Sequence, residues 1–284
     1  MKRHAATLVL FLILVLAVIT GLYWFLKPAA KTESPSKTKP QPSQTLTKES
    51  TSWTKQDQTV HIPILMYHAI HDMAPEESAS ANLIVAPELF EQQIKVLADN
   101  DYYFLTPEEA YRALTTNALP QEKVVWLTFD DGNADFYTHA YPILKKYKAK
   151  ATNNIITGFV QNQYAGNLTV KQMLEMMKHG MSFQAHTVNH PDLSVNTREV
   201  QMTELAETRH FLNAQLKQET MTIAYPSGRY TQETLALAQE TGYKLGLTTN
   251  EGLASAADGL LSLNRVRILP TTTPEQLLSQ INGD

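Results

Sequence analysis

The chain has 284 residues, 43% of them hydrophobic, and no cysteine, so it can bury a sizeable core but forms no disulfide. Its formal charge of −4 is unevenly spread: residues 1–58 carry eight Lys/Arg and three Asp/Glu, which is +5 and leaves −9 on residues 59–284. A domain that acidic argues against nucleic acid as a partner and suits a neutral or cationic polymer better than a polyanion.

From Ala5 to Leu26 the chain is apolar, with only Thr7, Thr20 and Gly21 interrupting. At ~1.5 Å per residue such a helix spans roughly 33 Å, the thickness of a bilayer's hydrocarbon core. It exceeds the apolar stretch of a cleaved signal and ends in Tyr23-Trp24-Phe25-Leu26-Lys27, an aromatic and basic interface anchor. Residues 1–27 therefore read as an uncleaved single-pass membrane anchor, with cleavage near Ala29-Ala30 as the alternative. Basic residues flank both ends, so the extracellular placement of the rest relies on export of a large downstream domain. Residues 28–58, mostly Thr, Ser, Pro, Lys and Gln, read as a disordered tether. A folded domain is expected over residues 59–284.

In that domain, β-branched apolar runs alternate with helical patterns. Strands are expected at Ile62–Tyr67, Val124–Phe129, Ala151–Ile156, Ser182–Ala185, Thr222–Tyr225, Leu245–Thr248 and Arg265–Leu269. Helix starts are marked by Thr106-Pro107-Glu108-Glu109, Thr169, Thr197, Thr231 and Thr273-Pro274-Glu275-Gln276. About seven strands separated by helices indicate βαβ units, in a distorted parallel (β/α) barrel or an open doubly wound sheet. The chemistry favours the barrel. His68, Asp130-Asp131, His186 and Pro226-Ser227-Gly228 each follow a strand, and parallel α/β folds gather strand C-terminal ends on one catalytic face.

Asp-Asp-Gly by itself is a common turn. Directly after a buried strand, however, two adjacent carboxylates repel unless a cation or a proton is shared. A metal bound by one, with the other left free as a base, resolves the conflict. His186-Thr187-Val188-Asn189-His190 supplies further ligands, and histidines four apart share one face of a helical turn. Two His and one Asp with open positions make a catalytic rather than a structural metal set.

Thr128-Phe129-Asp130-Asp131-Gly132 and His186-Thr187-x-x-His190 resemble the first two motifs of the polysaccharide deacetylase family, carbohydrate esterase family 4. The similarity covers most of residues 60–270 and includes Ile64-Leu65-Met66-Tyr67-His68 and Tyr225-Pro226-Ser227-Gly228. The Met-Tyr-His element is similar to the branch of poly-N-acetylglucosamine and envelope polysaccharide deacetylases.

The resemblance implies a distorted (β/α) barrel and one divalent metal, usually zinc, with Co2+, Ni2+ or Fe2+ as substitutes. It implies Asp131, His186 and His190 as ligands and Asp130 as general base. The backbone N–H of Ser227 would stabilise the oxyanion, beside Tyr225 on the substrate side. Two positions depart from the family. Ala224 stands where an arginine usually orients the base, and Ile268-Leu269-Pro270-Thr271 lacks the usual C-terminal histidine. Arg265 or Arg267 is expected to compensate for the first, and His68 to serve as general acid. His61, His71, His139, His179 and His210 read as structural or solvated, and Trp126 as core. Asn167-Leu168-Thr169 matches a glycosylation sequon but reads more simply as a loop into an N-cap. The function implied is removal of N-acetyl groups from an extracellular N-acetylglucosamine polymer, peptidoglycan or exopolysaccharide. The alternatives are an O-acetyl esterase of xylan-like glycans and a non-catalytic polysaccharide-binding module.

Overall fold

The computed structural model describes residues 52–282; the expected anchor and the tether up to residue 51 lie outside the described residues. Among the described residues no helix is long and apolar enough to cross a membrane. Seven strands make the centre: β1 (Ile64–Tyr67), β2 (Val124–Phe129), β3 (Ala151–Ile155), β4 (Met181–Ala185), β5 (Thr222–Ala224), β6 (Leu245–Glu251) and β7 (Leu263–Arg267). They pair in sequence order, all parallel, and β1 pairs with both β7 and β2, so the sheet closes into a barrel.

Closure explains why the strands read as continuous apolar runs, since both faces are covered. Val125, Leu127 and Phe129 of β2 face the surrounding helices and join the larger core cluster. Val124 and Trp126 belong to a second cluster with Ile64, Ala224, Leu245, Leu247 and Leu263. That set fills the lower lumen. Higher on the inward face of β2 the residues become Thr128 and then Asp130, because side chains on one face recur every second residue. Trp126 is core, as expected: it is fully buried and its Nε1–H donates to Thr152 Oγ1 at 2.7 Å.

The first expected strand is split. Pro63 has no N–H to give a ladder. His61–Ile62 pairs antiparallel with Ala254–Ser255, and β1 begins only at Ile64. The last is shifted two residues towards the N-terminus, which places Arg265 inside β7.

Eight helices surround the barrel among the described residues: α1 (Pro87–Asp99), α2 (Pro107–Thr116), α3 (Tyr141–Lys146), α4 (Thr157–Gln161), α5 (Val170–Met177), α6 (Arg198–Leu216), α7 (Gln232–Glu240) and α8 (Pro274–Asn282). All five threonine caps form. Thr106 and Thr169 do so in reciprocal boxes with Glu109 and Gln172, and Thr197, Thr231 and Thr273 accept from Val200, Thr234 and Gln276. Thr169 is thus the N-cap that the sequon was read to be.

The folded unit reaches back into the sequence assigned to the tether. Thr54–Lys55 pairs antiparallel with Ala118–Leu119, and the Arg112 guanidinium lies 4.2 Å over the Trp53 ring. The strand pairing and this cation–π contact outweigh the tether-like composition there.

Candidate metal and proton-transfer site

The loops that follow β1, β2, β4 and β5 bring the candidate residues to one end of the barrel. Asp130 N–H donates to Tyr67 O at 3.0 Å, tying the ends of β1 and β2 together. Nine described non-glycine residues have positive φ, and four of them lie in the candidate motifs: Asp131 (78°), Thr187 (64°), His190 (57°) and Ser227 (52°). Left-handed backbone costs about 1–3 kcal/mol per residue and persists only where the surroundings impose it. Here it turns Asp131 out of the strand and curls the histidine loop.

The expected helical turn at His186–His190 is therefore corrected. The two imidazoles meet, with ring centroids 4.7 Å apart, through a loop entered and left by left-handed residues. Thr187 Oγ1 accepts from His190 N–H at 3.0 Å and closes that loop. Gly158 packs underneath: its N–H donates to Val188 O at 2.8 Å, and a Cβ there would stand 2.6 Å from that oxygen. Gly158→Ala should accordingly cost about 1–3 kcal/mol and loosen the histidine loop. Thermal or urea melts measure the first effect; an unchanged melt would show that the loop yields freely.

One ligand atom each from Asp131, His186 and His190 lie within 4.8 Å of one another. Asp131 Oδ1 is 3.5 Å from His186 Nε2 and 3.9 Å from His190 Nε2. Ligand atoms about 2.0–2.1 Å from a tetrahedral zinc stand roughly 3.3 Å apart, so these separations suit a shared ion. The tautomer suits it too. His186 Nδ1 faces the Ala224 carbonyl at 2.8 Å and must donate to it, which leaves a lone pair on Nε2. Charge balance points the same way: Asp130 and Asp131 bring two negative charges against one from Arg265.

Burial pushes Asp131 up, but the His186 hydrogen bond and charge outweigh it and hold its carboxyl below the ordinary range. Burial pushes His186 down, and hydrogen bonding to the Asp131 carboxylate with the charges of both aspartates carries it above its usual value. His190 is lowered by burial and then by His186.

Asp130 is almost fully buried and its carboxylate is held by three side-chain hydrogen bonds. Arg265 binds it in a fork, Nη1 to Oδ1 at 3.0 Å and Nη2 to Oδ2 at 2.7 Å. Arg265 is itself fully buried and anchored by Nε–H to Thr248 O at 2.7 Å. Burial pushes the Asp130 carboxyl up; the charges of Arg265 and His186, with the Arg265 hydrogen bonds, overcome it and hold the group far below the usual range. Of the two arginines named for the place of Ala224, Arg265 is the one that reaches Asp130, whereas Arg267 faces Glu251 at 3.7 Å. The third bond was not legible in the sequence: Asn154 Nδ2 donates to Asp130 Oδ1 at 2.7 Å. The register that sets Thr128 against Thr152 puts the next inward pair, Asp130 and Asn154, together.

His68 lines a cavity of about 450 Å3 with Asp131, Asn133, Asp135 and Gly166. Burial lowers its pKa first of all, against the pull of Asp130 and Asp131. His71, read as structural, lines the same cavity. It bridges Asp135 (2.7 Å) and Glu77 (3.1 Å), and although burial lowers it, those carboxylates raise it above its usual value. Tyr225 is not brought to the site: its ring is fully buried and its hydroxyl donates to Leu261 O at 2.9 Å. Ser227 is exposed in the one-turn segment Pro226–Gly228, where first-turn N–H groups have no intrahelical partner.

A family model for polysaccharide deacetylase matches residues 117–246. The structure of the Streptococcus pyogenes deacetylase PplD in complex with acetate is 62% identical in sequence, with a TM-score of 0.77, over 79% of this chain and 99% of that one. The chain belongs to the polysaccharide deacetylase family. A Bacillus cereus polysaccharide deacetylase structure is 32% identical with a TM-score of 0.70, over 78% of this chain and 69% of that one. A Staphylococcus aureus poly-β-1,6-N-acetyl-D-glucosamine N-deacetylase is 35% identical over 60% of this chain and 62% of its own length. The span of the family model includes Asp130, Asp131, Asn154, His186, His190 and Ser227.

Proposed function

We propose that this deacetylase is a metal-dependent hydrolase that removes N-acetyl groups from an N-acetylglucosamine-containing polysaccharide outside the cell, peptidoglycan or an exopolysaccharide. The observation that carries this reading is the meeting, at one end of the barrel, of a two-histidine, one-carboxylate donor set and a second carboxylate gripped by a buried arginine. Asp131, His186 and His190 would hold the ion. Zinc suits this nitrogen and oxygen set, with Co2+, Ni2+ or Fe2+ able to replace it. When bound, a divalent ion supplies Lewis acidity that polarises an acetamide carbonyl and acidifies water.

The chain's own groups carry the proton transfers. Asp130, kept ionised by Arg265, takes the proton from water as its oxygen adds to the carbonyl carbon. The Ser227 N–H would donate to the oxyanion that develops. His68 gives a proton to the departing nitrogen, the C–N bond breaks, and acetate and a free amine result. The named activity of the S. aureus relative supports the N-acetyl assignment, and the acetate held by PplD is the product such a reaction releases. On the same footing, residues 1–27 anchor the chain in the membrane and the tether carries the domain outward.

The full-length protein should release acetate from N-acetylglucosamine oligomers, lose that activity to a chelator, and regain it with Zn2+. Release from acetylated xylan but not from the oligomers would move the reaction to esters. Turnover indifferent to the chelator would remove the metal from the mechanism.

A further inference from the structure

We propose that Glu204, on the helix behind the histidine loop, is a positioning residue that presets His186 and His190 for the metal. This rests on the metal-centre reading above. Glu204 belongs to α6 and is 7% exposed. A carboxylate that far out of water is costly unless its oxygens are hydrogen-bonded. All three of its donors come from one short segment: Val188 N–H at 2.8 Å and Asn189 N–H at 2.9 Å to Oε2, and Asn189 Nδ2 at 2.7 Å to Oε1.

Those two residues are the whole interval between the left-handed Thr187 and His190. A loop bent at both ends turns its intervening N–H groups to one side, and there they need an acceptor. A water could satisfy them, but it would leave the loop free to shift. An acceptor fixed to a nineteen-residue helix does not. The grip lies on the segment joining the two histidines and on nothing else, so its effect is on their spacing. Charge-assisted bonds of this kind are the strong ones, and groups that orient ligands alter metal affinity about 10–100-fold when removed.

Zn2+ binding by the full chain, followed by competition with a chelator, tests the inference alongside melts with and without Zn2+. Glu204→Ala should keep its secondary structure by circular dichroism yet bind Zn2+ about 10–100-fold more weakly, so that added Zn2+ raises its melting temperature less than in the wild type. Glu204→Gln keeps one oxygen for the two backbone donors and should fall between the two. It carries the test if Glu204→Ala does not fold. Wild-type Zn2+ affinity in the variants, with binding lost in Asp131→Ala, would overturn the role of Glu204 while leaving the metal centre standing. Failure of the wild type to bind Zn2+, or wild-type binding by Asp131→Ala, would overturn both.

Discussion

Arg265→Met should destabilise the domain by about 3–5 kcal/mol at neutral pH, because it leaves the buried Asp130 carboxylate without its counter-charge. The pH dependence gives the prediction its sign. The folded-state pKa of Asp130 is depressed below its ordinary 3.8. The stability this contributes is fully present above that ordinary value and is lost as pH falls through the folded one. Without Arg265, burial is the leading influence that remains and it pushes the group up. Protonation then relieves the variant as the solution is acidified, so the gap between wild type and variant should be widest near neutrality and narrow towards about pH 4. Urea melts across that range measure it, and a gap that widens in acid would contradict the pairing. The acid limb of kcat/KM should move to higher pH in the variant for the same reason. Arg265 keeps Asp130 charged at some cost in basicity, which the proposed metal ion would offset by acidifying water.

Much of this was readable in the sequence because local chemistry dictated it. The threonine caps announce their helices with side chains that satisfy first-turn N–H groups. Strands buried on both faces show as unbroken apolar runs. Asp131, His186 and His190 are carried by motifs whose spacing survives folding.

What was missed lacked such local signals. Helix α1 is preceded by the N-cap Ala86, whose methyl group cannot accept a hydrogen bond from the first turn. The segment before α3 is a π-helical turn, Phe136–Ala140, whose period does not match a 3.6-residue pattern. The partners of Asp130 depended on register: Asn154 and Arg265 lie 24 and 135 residues from it in sequence, and only barrel closure brings them to one carboxylate. Tyr225 failed for a related reason. It follows a strand like the other candidates, but its ring turns into the core instead of the cavity, and its hydroxyl finds Leu261.

Asp130→Asn should lower acetate release from N-acetylglucosamine oligomers by about 10²–10⁴-fold, the range a positioned base contributes. Zn2+ affinity should change little, since Asp131, His186 and His190 are untouched. The same substitution strands the Arg265 guanidinium, so part of any loss could come from misfolding. The double variant separates the two causes. Asp130→Asn with Arg265→Met removes both charges of the buried pair, and a neutral pair of similar volume commonly equals or exceeds an ion pair in stability. It should therefore recover much of the melting temperature lost by either single variant, a coupling that additive changes would not produce. Activity should not return with it. A double variant that is both stable and active would place the base elsewhere, with His68 the next group to test. A stable and inactive one leaves Asp130 as the proton acceptor and Arg265 as the residue that lets a buried carboxylate remain charged there.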